Sequence, residues 1–395
     1  MSNPVQRWLE HIRYLAGTIG PRGPTTPEEK KALDYCGRTL VTLGLPTGED
    51  HFLSAGSVFR PHLVAALGFL AAFVIYPLSP PLTPWLAAIL ALAVLVSEVL
   101  ELLQRPNPLQ WVLPKAPSRN VYATVDPSGP AEQDLVLIGH VDTQRTAKIF
   151  SSPGWFLAYR TFSTVAFVSF VWMVFTYFLG AAFGWAWVWP ASAVSAFMGL
   201  GLLALTVEAD RSPFTPGAND NATAAGLVLT LAEELKAKPL RRTRVWCVCT
   251  GCEEALHEGA KTFFRVHKQA LVNPRAIAFE MLGCSGPAWM VKEGVLLPIY
   301  SDRGLREVAM RVAAEHPELG AYPGSLQGGV GEMADALAAG VRAMTIIGLT
   351  PEGKAPYWHL ATDTVDKMDP KVMERNYRFV RAMLGAVDAQ WPTQL

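Results

Sequence analysis

Two long stretches of the chain contain no charged side chain, one between Arg60 and Glu98 and the other between Arg160 and Glu208. A membrane-spanning helix needs roughly 20 predominantly apolar residues, so each stretch has room for two spans. Buried helices of a large soluble protein are the alternative, but helices without a polar face would have to be surrounded completely. The pattern therefore predicts four transmembrane helices in two hairpins, at 62–78, 85–103, 161–183 and 185–207.

The connections inside both hairpins carry turn and interface signals. The segment 79–84 (SPPLTP) is rich in proline, and the second tip carries tryptophans at 185, 187 and 189, which predicts an interfacial aromatic belt. Basic residues flank the hairpins only on the side of the polar segments, which predicts a multi-pass protein whose polar domain is cytoplasmic. The first 60 residues show no basic-then-apolar leader, in agreement with that expectation.

Outside the hairpins, short apolar runs typical of strands alternate with amphipathic helical segments. This alternation predicts an α/β fold with a mostly parallel sheet flanked by helices. Helices are expected near 8–16 and 28–43, and strands at 121–125, 135–138, 245–249, 277–279, 289–291 and 344–347. The predicted division is an N-terminal helical part (1–60), a first hairpin (61–104), a first part of the polar domain (105–158), a second hairpin (159–208) and the remainder (209–395).

Composition changes this picture only slightly. The chain has 34 basic and 34 acidic residues, so its charge balance gives no sign of a nucleic-acid partner. Only 17% of its residues are charged, where soluble domains have roughly 25%, and the uncharged hairpins account for the deficit. Five cysteines in 395 residues are too sparse for a disulfide framework. Cys247 and Cys249 alternate within a predicted strand, which favours buried side chains over a thiolate metal site.

Several polar side chains follow predicted strands directly. His140 follows LVLIG, Glu253 and Glu254 follow VWCVCTGC, and Glu280 ends AIAFE. Ligands of such sheets bind beyond the carboxyl ends of the strands, so these groups are expected at one edge. Imidazole and carboxylate are suitable zinc ligands, and Asp142 in GHVD could orient the ring of His140.

Other motifs leave structural alternatives open. Asp220 in GANDNATAAG could bind metal or cap the helix that follows it. The adjacent acids in GCEEALHEGA could be a metal ligand and a base, or the acidic first turn of a helix. His257, a turn beyond the acid pair, could reach the site, but the pattern favours a surface helical position. His359 lies in YWHLATDTVDKM, before a helix that is predicted to begin near Pro370. No role is assigned to Glu332 or Asp335 beside the glycine-rich loop 328–331.

Together these motifs resemble the co-catalytic zinc aminopeptidases of metallopeptidase family twenty-eight, whose relatives include glutaminyl cyclases, glutamate carboxypeptidase and the transferrin receptor ectodomain. The resemblance covers LAGTIGPRGPTTPEEKKALDYCGRTLVTLGL and the chain from about residue 120 onward, except the second hairpin, and the motifs occur in the family's order. It implies two Zn²⁺ ions per chain. The implied roles are His140 and Glu280 on one zinc, Glu254 and His359 on the other, Asp220 as the bridge, Asp142 as the partner of His140, and Glu253 as the general base. The family often has Asp at the position of Glu280.

The implied function is a membrane-embedded zinc exopeptidase, an aminopeptidase that hydrolyses peptide bonds with a metal-activated water. Because the second hairpin is inserted between Asp142 and Asp220, hydrophobic or membrane-associated peptides are candidate substrates, although the hairpin could equally be a simple anchor. There are two alternatives. One is an amidohydrolase or glutaminyl-cyclase-like acyltransferase, for which one zinc suffices, and the other is a non-catalytic membrane scaffold. The expected partners are a peptide or amide substrate and the lipid bilayer, with no nucleic acid and with homo-oligomerisation left open.

Overall fold

The computed structural model describes residues 3–103 and 105–389, and the chain divides into two compact units that are interleaved in sequence. The first unit comprises the chain up to residue 56, residues 116–144 and the chain from 214 onward. The second comprises residues 57–115 and 145–213, a wider span than the predicted hairpins. The apolar helices and the polar fold are therefore separate bodies built from one chain.

The first unit contains a nine-stranded sheet whose main path runs β1-β2-β4-β3-β5-β9-β6-β7, with β8 paired to β6. Its centre is parallel, since β4, β3, β5 and β9 run in the same direction. Antiparallel pairs flank this centre on both sides, so the sheet is mixed and the prediction of a mostly parallel sheet is wrong. The strands are β1 (Thr47–Ser54), β2 (Ala116–Val125), β3 (Gln133–His140), β4 (Thr243–Thr250), β5 (Arg275–Glu280), β6 (Ala288–Glu293), β7 (Ile299–Tyr300), β8 (Tyr322–Ser325) and β9 (Arg342–Ile347).

Helices cover both faces of this sheet. In β3, Leu135 and Leu137 pack into the hydrophobic core on one face, whereas Val136 and Ile138 pack into the core on the other. A central strand that is buried on both faces leaves only its ends available for polar chemistry. The helices of this unit are α1 (Pro4–Ile12), α2 (Pro27–Thr42), α9 (Thr223–Ala237), α10 (Glu258–His267), α11 (Arg303–Glu315), α12 (Glu332–Ala338) and α13 (Pro370–Ala389), numbered along the whole chain.

The second unit is helical. Three of its helical segments, Leu82–Leu102, Pro153–Phe183 and Val188–Arg211, are long and apolar enough to cross a membrane, whereas Phe59–Ile75 is a shorter apolar helix. Of the four predicted spans, the first is thus the one that falls short in length. The helices are α3 (Phe59–Ile75), α4 (Leu82–Leu102), α5 (Pro108–Trp111), α6 (Pro153–Phe183), α7 (Val188–Ala191) and α8 (Ala193–Arg211).

Charged side chains of the second unit pair where α3 begins and where α4 and α8 end. His62 near the start of α3 lies 2.5 Å from the Glu98 carboxylate near the end of α4. Asp210 near the end of α8 is ion-paired with Arg60 at 3.4 Å. Where α6 connects to α7, the rings of Trp185 and Trp187 stack with centroids 5.8 Å apart.

Candidate metal centre

The carboxyl ends of three central strands deliver metal-competent side chains to one place. His140 is the last residue of β3, Glu280 is the last residue of β5, and Glu253 and Glu254 follow shortly after β4. The neighbouring strands β4 and β5 both run parallel to β3, which is why these strand ends meet at one edge. All four side chains are buried, with at most 8% of any residue exposed.

Two loops complete the cluster. Asp220 lies between β3 and β4 in sequence, just before α9, and His359 lies between β9 and α13. The residue at the N-cap of α9 is Ala222, so Asp220 does not cap that helix. Helix α10 begins only at Glu258, so Glu253 and Glu254 are not its first turn either. Both structural alternatives for these acids are therefore wrong.

Besides a group formed by His140, Glu253 and Glu254, the cluster contains two sets of ligand atoms that share one aspartate. In the first, His140 Nε2 lies 3.7 Å from Asp220 Oδ1 and 3.6 Å from Glu280 Oε2. In the second, His359 Nε2 lies 3.3 Å from Asp220 Oδ2 and 3.4 Å from Glu254 Oε1. Within each set the ligand atoms lie within 4.8 Å of one another. The two oxygens of Asp220 thus face different histidines.

Asp142 connects the histidine to the acid pair. Its carboxylate accepts hydrogen bonds from the backbone N–H groups of Glu253 at 3.1 Å and Glu254 at 2.9 Å. His140 Nδ1 lies 3.6 Å from Asp142 Oδ1 and 3.1 Å from the Asp142 backbone carbonyl. One buried carboxylate therefore holds both the strand end of β3 and the turn after β4.

Two polar side chains that the sequence did not single out hold the Asp220 loop. The Asp363 carboxylate accepts hydrogen bonds from the backbone N–H groups of Asn219 at 2.7 Å and Asp220 at 2.9 Å. The Asn221 side-chain amide donates to Glu280 Oε2 at 2.7 Å. These contacts tie the loop to the segment after His359 and to the end of β5. No local pattern marks such residues, because their partners lie 59 to 144 positions away in sequence.

The electrostatics of the cluster show negative charge without compensation. Burial raises the pKa of Asp220 and of Glu253 well above the ordinary range, and the Glu254 carboxylate raises both further. Burial likewise raises the pKa of Glu254 to about 8. Burial would lower the pKa of His140, but the carboxylates of Glu253 and Glu280 outweigh it and raise this pKa well above the ordinary value. Such a site stabilises protons or cations.

The donor set fits zinc. Within the part of the chain that the structure describes, the buried atoms Asp220 Oδ2 and Glu280 Oε1 have no hydrogen-bond partner. Buried polar atoms normally have one, so these oxygens are available as ligands. Two imidazoles with carboxylate oxygens are ligands that Zn²⁺ accepts, and a divalent cation would compensate the buried negative charge.

The backbone around the site adopts an uncommon conformation. Cys252, which precedes the acid pair, Met281, which follows Glu280, and His359 itself all have positive φ, at 53°, 52° and 56°. For residues other than glycine this left-handed region is sparsely populated and costs about 1–3 kcal/mol per residue. Such strain is typical of residues that are held in place for a function.

The interpretation of His257 as a surface position is wrong. The residue is 8% exposed and precedes α10, with its ring 2.8 Å from Asp335 and 3.5 Å from Glu253. A helical pattern placed it on a surface helix, but the helix begins one residue later. Glu332 is also fully buried, and its Oε1 accepts a hydrogen bond from Thr250 at 2.5 Å. Burial raises the pKa of Glu332 to about 8.

The mixed, helix-covered sheet with this buried cluster defines the class of the protein as an α/β fold with a candidate metal centre. Its structure is similar to a leucine aminopeptidase precursor from Bacteroides thetaiotaomicron, with a TM-score of 0.58, 12% identity, and coverage of 96% of each chain. It is equally similar to a glutaminyl cyclase from that organism, with a TM-score of 0.58, 14% identity, and coverage of 96% of this chain and 97% of the other. A Zn-dependent exopeptidase from Parabacteroides distasonis has a TM-score of 0.55, 12% identity, and coverage of 95% and 96%.

Residues 203–384 match the model of Peptidase family M28. This segment contains Asp220, Glu253, Glu254, Glu280 and His359. This match confirms the sequence-based resemblance to the family over these residues. No curated protein sequence matches the chain.

Proposed function

We propose that the protein is a membrane-embedded zinc aminopeptidase that hydrolyses the first peptide bond of hydrophobic or membrane-associated peptides with two metal ions. The observation that carries this proposal is the shared aspartate. Asp220 presents Oδ1 to His140 at 3.7 Å and Oδ2 to His359 at 3.3 Å, and each histidine has a further acid of its own. A carboxylate between two ligand sets is the arrangement that a two-metal site requires.

His140, Asp220 and Glu280 would hold one zinc ion, and Asp220, Glu254 and His359 the other. When bound, the zinc ions would polarise the scissile carbonyl and lower the pKa of water toward 7. Glu253 Oε2, which lies 3.8 Å from His140 Nε2, is the base beside this site. It takes a proton from the attacking water as the new C–O bond forms, and returns the proton to the leaving nitrogen as the C–N bond breaks.

The experiment that tests the base compares Glu253→Gln with wild type. The amide keeps the size of the side chain and cannot accept the proton, so the variant should retain two zinc ions and lose activity by about 100-fold or more. Glu352→Gln, at an exposed acid on a turn, is the matched control and should behave as wild type. Full activity in Glu253→Gln would refute the assignment of the base.

A glutaminyl-cyclase-like activity is the second candidate, because the structure is as similar to a glutaminyl cyclase as to a leucine aminopeptidase precursor, with a TM-score of 0.58 for each. The set of Asp220, Glu254 and His359 offers three ligand atoms, which is enough to hold a single zinc. Mass spectrometry of a peptide with N-terminal glutamine separates the reactions. Hydrolysis adds water and releases the first residue, whereas cyclisation releases ammonia. One zinc per chain with ammonia release would replace the aminopeptidase proposal.

The proposal includes a membrane-spanning second unit. Strands β1 and β2 pair in one sheet, although residues 57–115 separate them. The chain must therefore cross a membrane an even number of times between these strands, so the shorter helix α3 crosses together with α4. The same parity applies to α6 and α8 between Gln144 and Phe214. Four spans, with charges at one end and tryptophans at the other, would anchor the sheet on the cytoplasmic side.

Reporter fusions test this topology. A reporter active only outside the cytoplasm, inserted in the segment 79–84 or at Gly184, should be active, and the same reporter at Gly129 should be inactive. Signals of the same kind at all three positions would contradict a four-span arrangement. For the substrate class, hydrolysis of a bilayer-embedded peptide should exceed hydrolysis of a soluble aminoacyl amide, and equal rates in bilayers and in detergent would leave the second unit as an anchor.

A further inference from the structure

His257 has a backbone conformation that is uncommon for a residue other than glycine. It precedes α10 with φ at 54°, directly after Leu256 with φ at 71°. Two successive non-glycine residues in the left-handed region are costly, and the bulky Leu256 in particular is rarely found there. The turn is closed by a hydrogen bond from the His257 N–H to the Glu253 carbonyl at 3.0 Å. This turn brings the imidazole back over the acid pair.

The buried imidazole lies between two carboxylates. Its Nδ1 is 2.8 Å from Asp335 Oδ2, in the first turns of α12, and its Nε2 is 3.5 Å from Glu253 Oε1. The other oxygen of that glutamate, Oε2, lies 3.8 Å from His140 Nε2. Each oxygen of the Glu253 carboxylate therefore faces a different histidine, one in the metal-ligand cluster and one outside it.

We propose that His257, anchored by Asp335, is a positioning residue that fixes the orientation of the Glu253 carboxylate for proton transfer. The inference rests on the proposed function, because it assumes that Glu253 is the base. A glutamate side chain has a broad terminal torsion, so an unsupported carboxylate would rotate. A donor on Oε1 leaves Oε2 directed at the reacting atoms, and small losses of such orientation cost large factors in rate. Contacts of catalytic groups are often long before substrate binds, as the 3.5 Å separation is here.

Two amide substitutions separate the two contacts of the ring. In His257→Asn the amide nitrogen reaches the position of Nδ1, so the contact with Asp335 survives and the contact with Glu253 is lost. In His257→Gln the amide nitrogen reaches the position of Nε2, so the contact with Glu253 survives. Asparagine also tolerates positive φ better than glutamine, so a purely structural role would make the asparagine variant the better one.

The experiment measures kcat, KM, zinc content and thermal unfolding for both variants. We expect His257→Asn to keep two zinc ions, a KM within about twofold and wild-type stability, and to lower kcat about 10- to 100-fold. His257→Gln should keep kcat within about fivefold of wild type. His51→Asn, the same change at an exposed histidine, is the matched control and should change none of these quantities.

An unchanged kcat in His257→Asn, or a kcat in His257→Gln as low as that in His257→Asn, would overturn the inference. Glu253→Gln distinguishes this failure from failure of the proposed function. If Glu253→Gln is inactive while His257→Asn is fully active, only the positioning role is lost. If Glu253→Gln is itself fully active, the proposed function fails and the positioning role with it.

Discussion

Arg22 donates a hydrogen bond from Nε to the backbone carbonyl of Val141, at 2.5 Å, directly between His140 and Asp142. The arginine is fully buried, and its remaining guanidinium nitrogens donate to the carbonyls of Gly20, Pro216 and Gly217, among others. Gly217 begins the loop that carries Asp220. Among the described residues, the Arg22 guanidinium forms no ion pair within 4 Å. This buried cation therefore connects the segments that carry the candidate ligands His140 and Asp220, through their backbone carbonyls.

This arrangement predicts that Arg22→Lys impairs the metal centre. Lysine keeps the charge but has one nitrogen in place of a planar fork, so the contacts to Val141 and Gly217 cannot both be kept. We expect the affinity for zinc to fall about 10- to 100-fold, as for other losses of groups that orient ligands. Competition with a zinc chelator measures this affinity directly. The exposed Arg38→Lys is the control, and equal zinc affinities in both variants would contradict the prediction.

A second prediction concerns Asp142, whose two oxygens accept the N–H groups of Glu253 and Glu254. Asp142→Asn replaces one acceptor oxygen by an NH2 group, which only donates. One of the two backbone N–H groups would then face another donor. The turn after β4 should shift, with a loss of kcat of about 100-fold and weaker zinc binding. Steady-state kinetics and zinc titration check both effects, with the exposed Asp126→Asn as control. Wild-type kinetics in Asp142→Asn would show that the turn does not depend on this carboxylate.

The strands that could be predicted from the sequence are those that contain an apolar run, of which β3 is buried along its whole length. All six predicted strands lie within β2, β3, β4, β5, β6 and β9, because an apolar run bounded by turns marks such strands. Strand β1 (TGEDHFLS) was missed, since it is an edge strand that alternates between exposed and buried positions. Strands β7 and β8 have two and four residues and too little pattern to be recognised. The alternation of strands and helices indicated the parallel centre of the sheet, but not the antiparallel pairs beside it, because the side-chain period is the same in both kinds of pair.

The side chains that the structure brings into one cluster could be recognised from the sequence, because each stands next to an apolar strand or in a recognisable loop motif. The residues that hold those ligands could not, because their contacts are long-range. Asp363 lies in YWHLATDTVDKM, but no neighbouring residue indicates its role. Arg22 is a single basic residue in an ordinary turn. His257 was misplaced because the helix after the acid pair begins one residue beyond it. The sequence pattern thus indicated the candidate ligands, but not the side chains that hold them in place.

A third prediction separates stability from catalysis. Asp134, at the opposite end of β3 from His140, accepts hydrogen bonds from Arg244 at 2.6 and 3.0 Å, Trp246 at 3.0 Å and the Val272 N–H at 2.6 Å. Asp134→Asn leaves some of these donors without an acceptor and removes the charge that pairs with Arg244. We expect a loss of about 2–4 kcal/mol in the free energy of unfolding with an unchanged kcat. Denaturant unfolding and kinetics at 25 °C test both, and a reduced kcat in the folded variant would refute the separation.

A fourth prediction concerns acid stability and His11 in α1. Burial lowers the pKa of this histidine to about 4, and its Nδ1 forms a hydrogen bond with the Tyr35 hydroxyl at 2.7 Å. Because the unfolded chain binds the proton near pH 6.5, the stability that neutral His11 contributes is complete above that pH. It declines as the pH falls from 6.5 toward 4, where the folded state also becomes protonated.

The expected loss is about 2 kcal/mol between pH 7.5 and pH 5, from the displacement of the pKa. His11→Gln removes the titrating group and should therefore flatten this part of the pH dependence, whatever its effect on stability at pH 7.5. Thermal unfolding of both proteins across this range gives the two slopes, and His51→Gln, at an exposed position, controls for loss of a histidine as such. Equal slopes for wild type and His11→Gln would mean that His11 is already solvated in the folded protein, because only a buried neutral ring links folding to proton release.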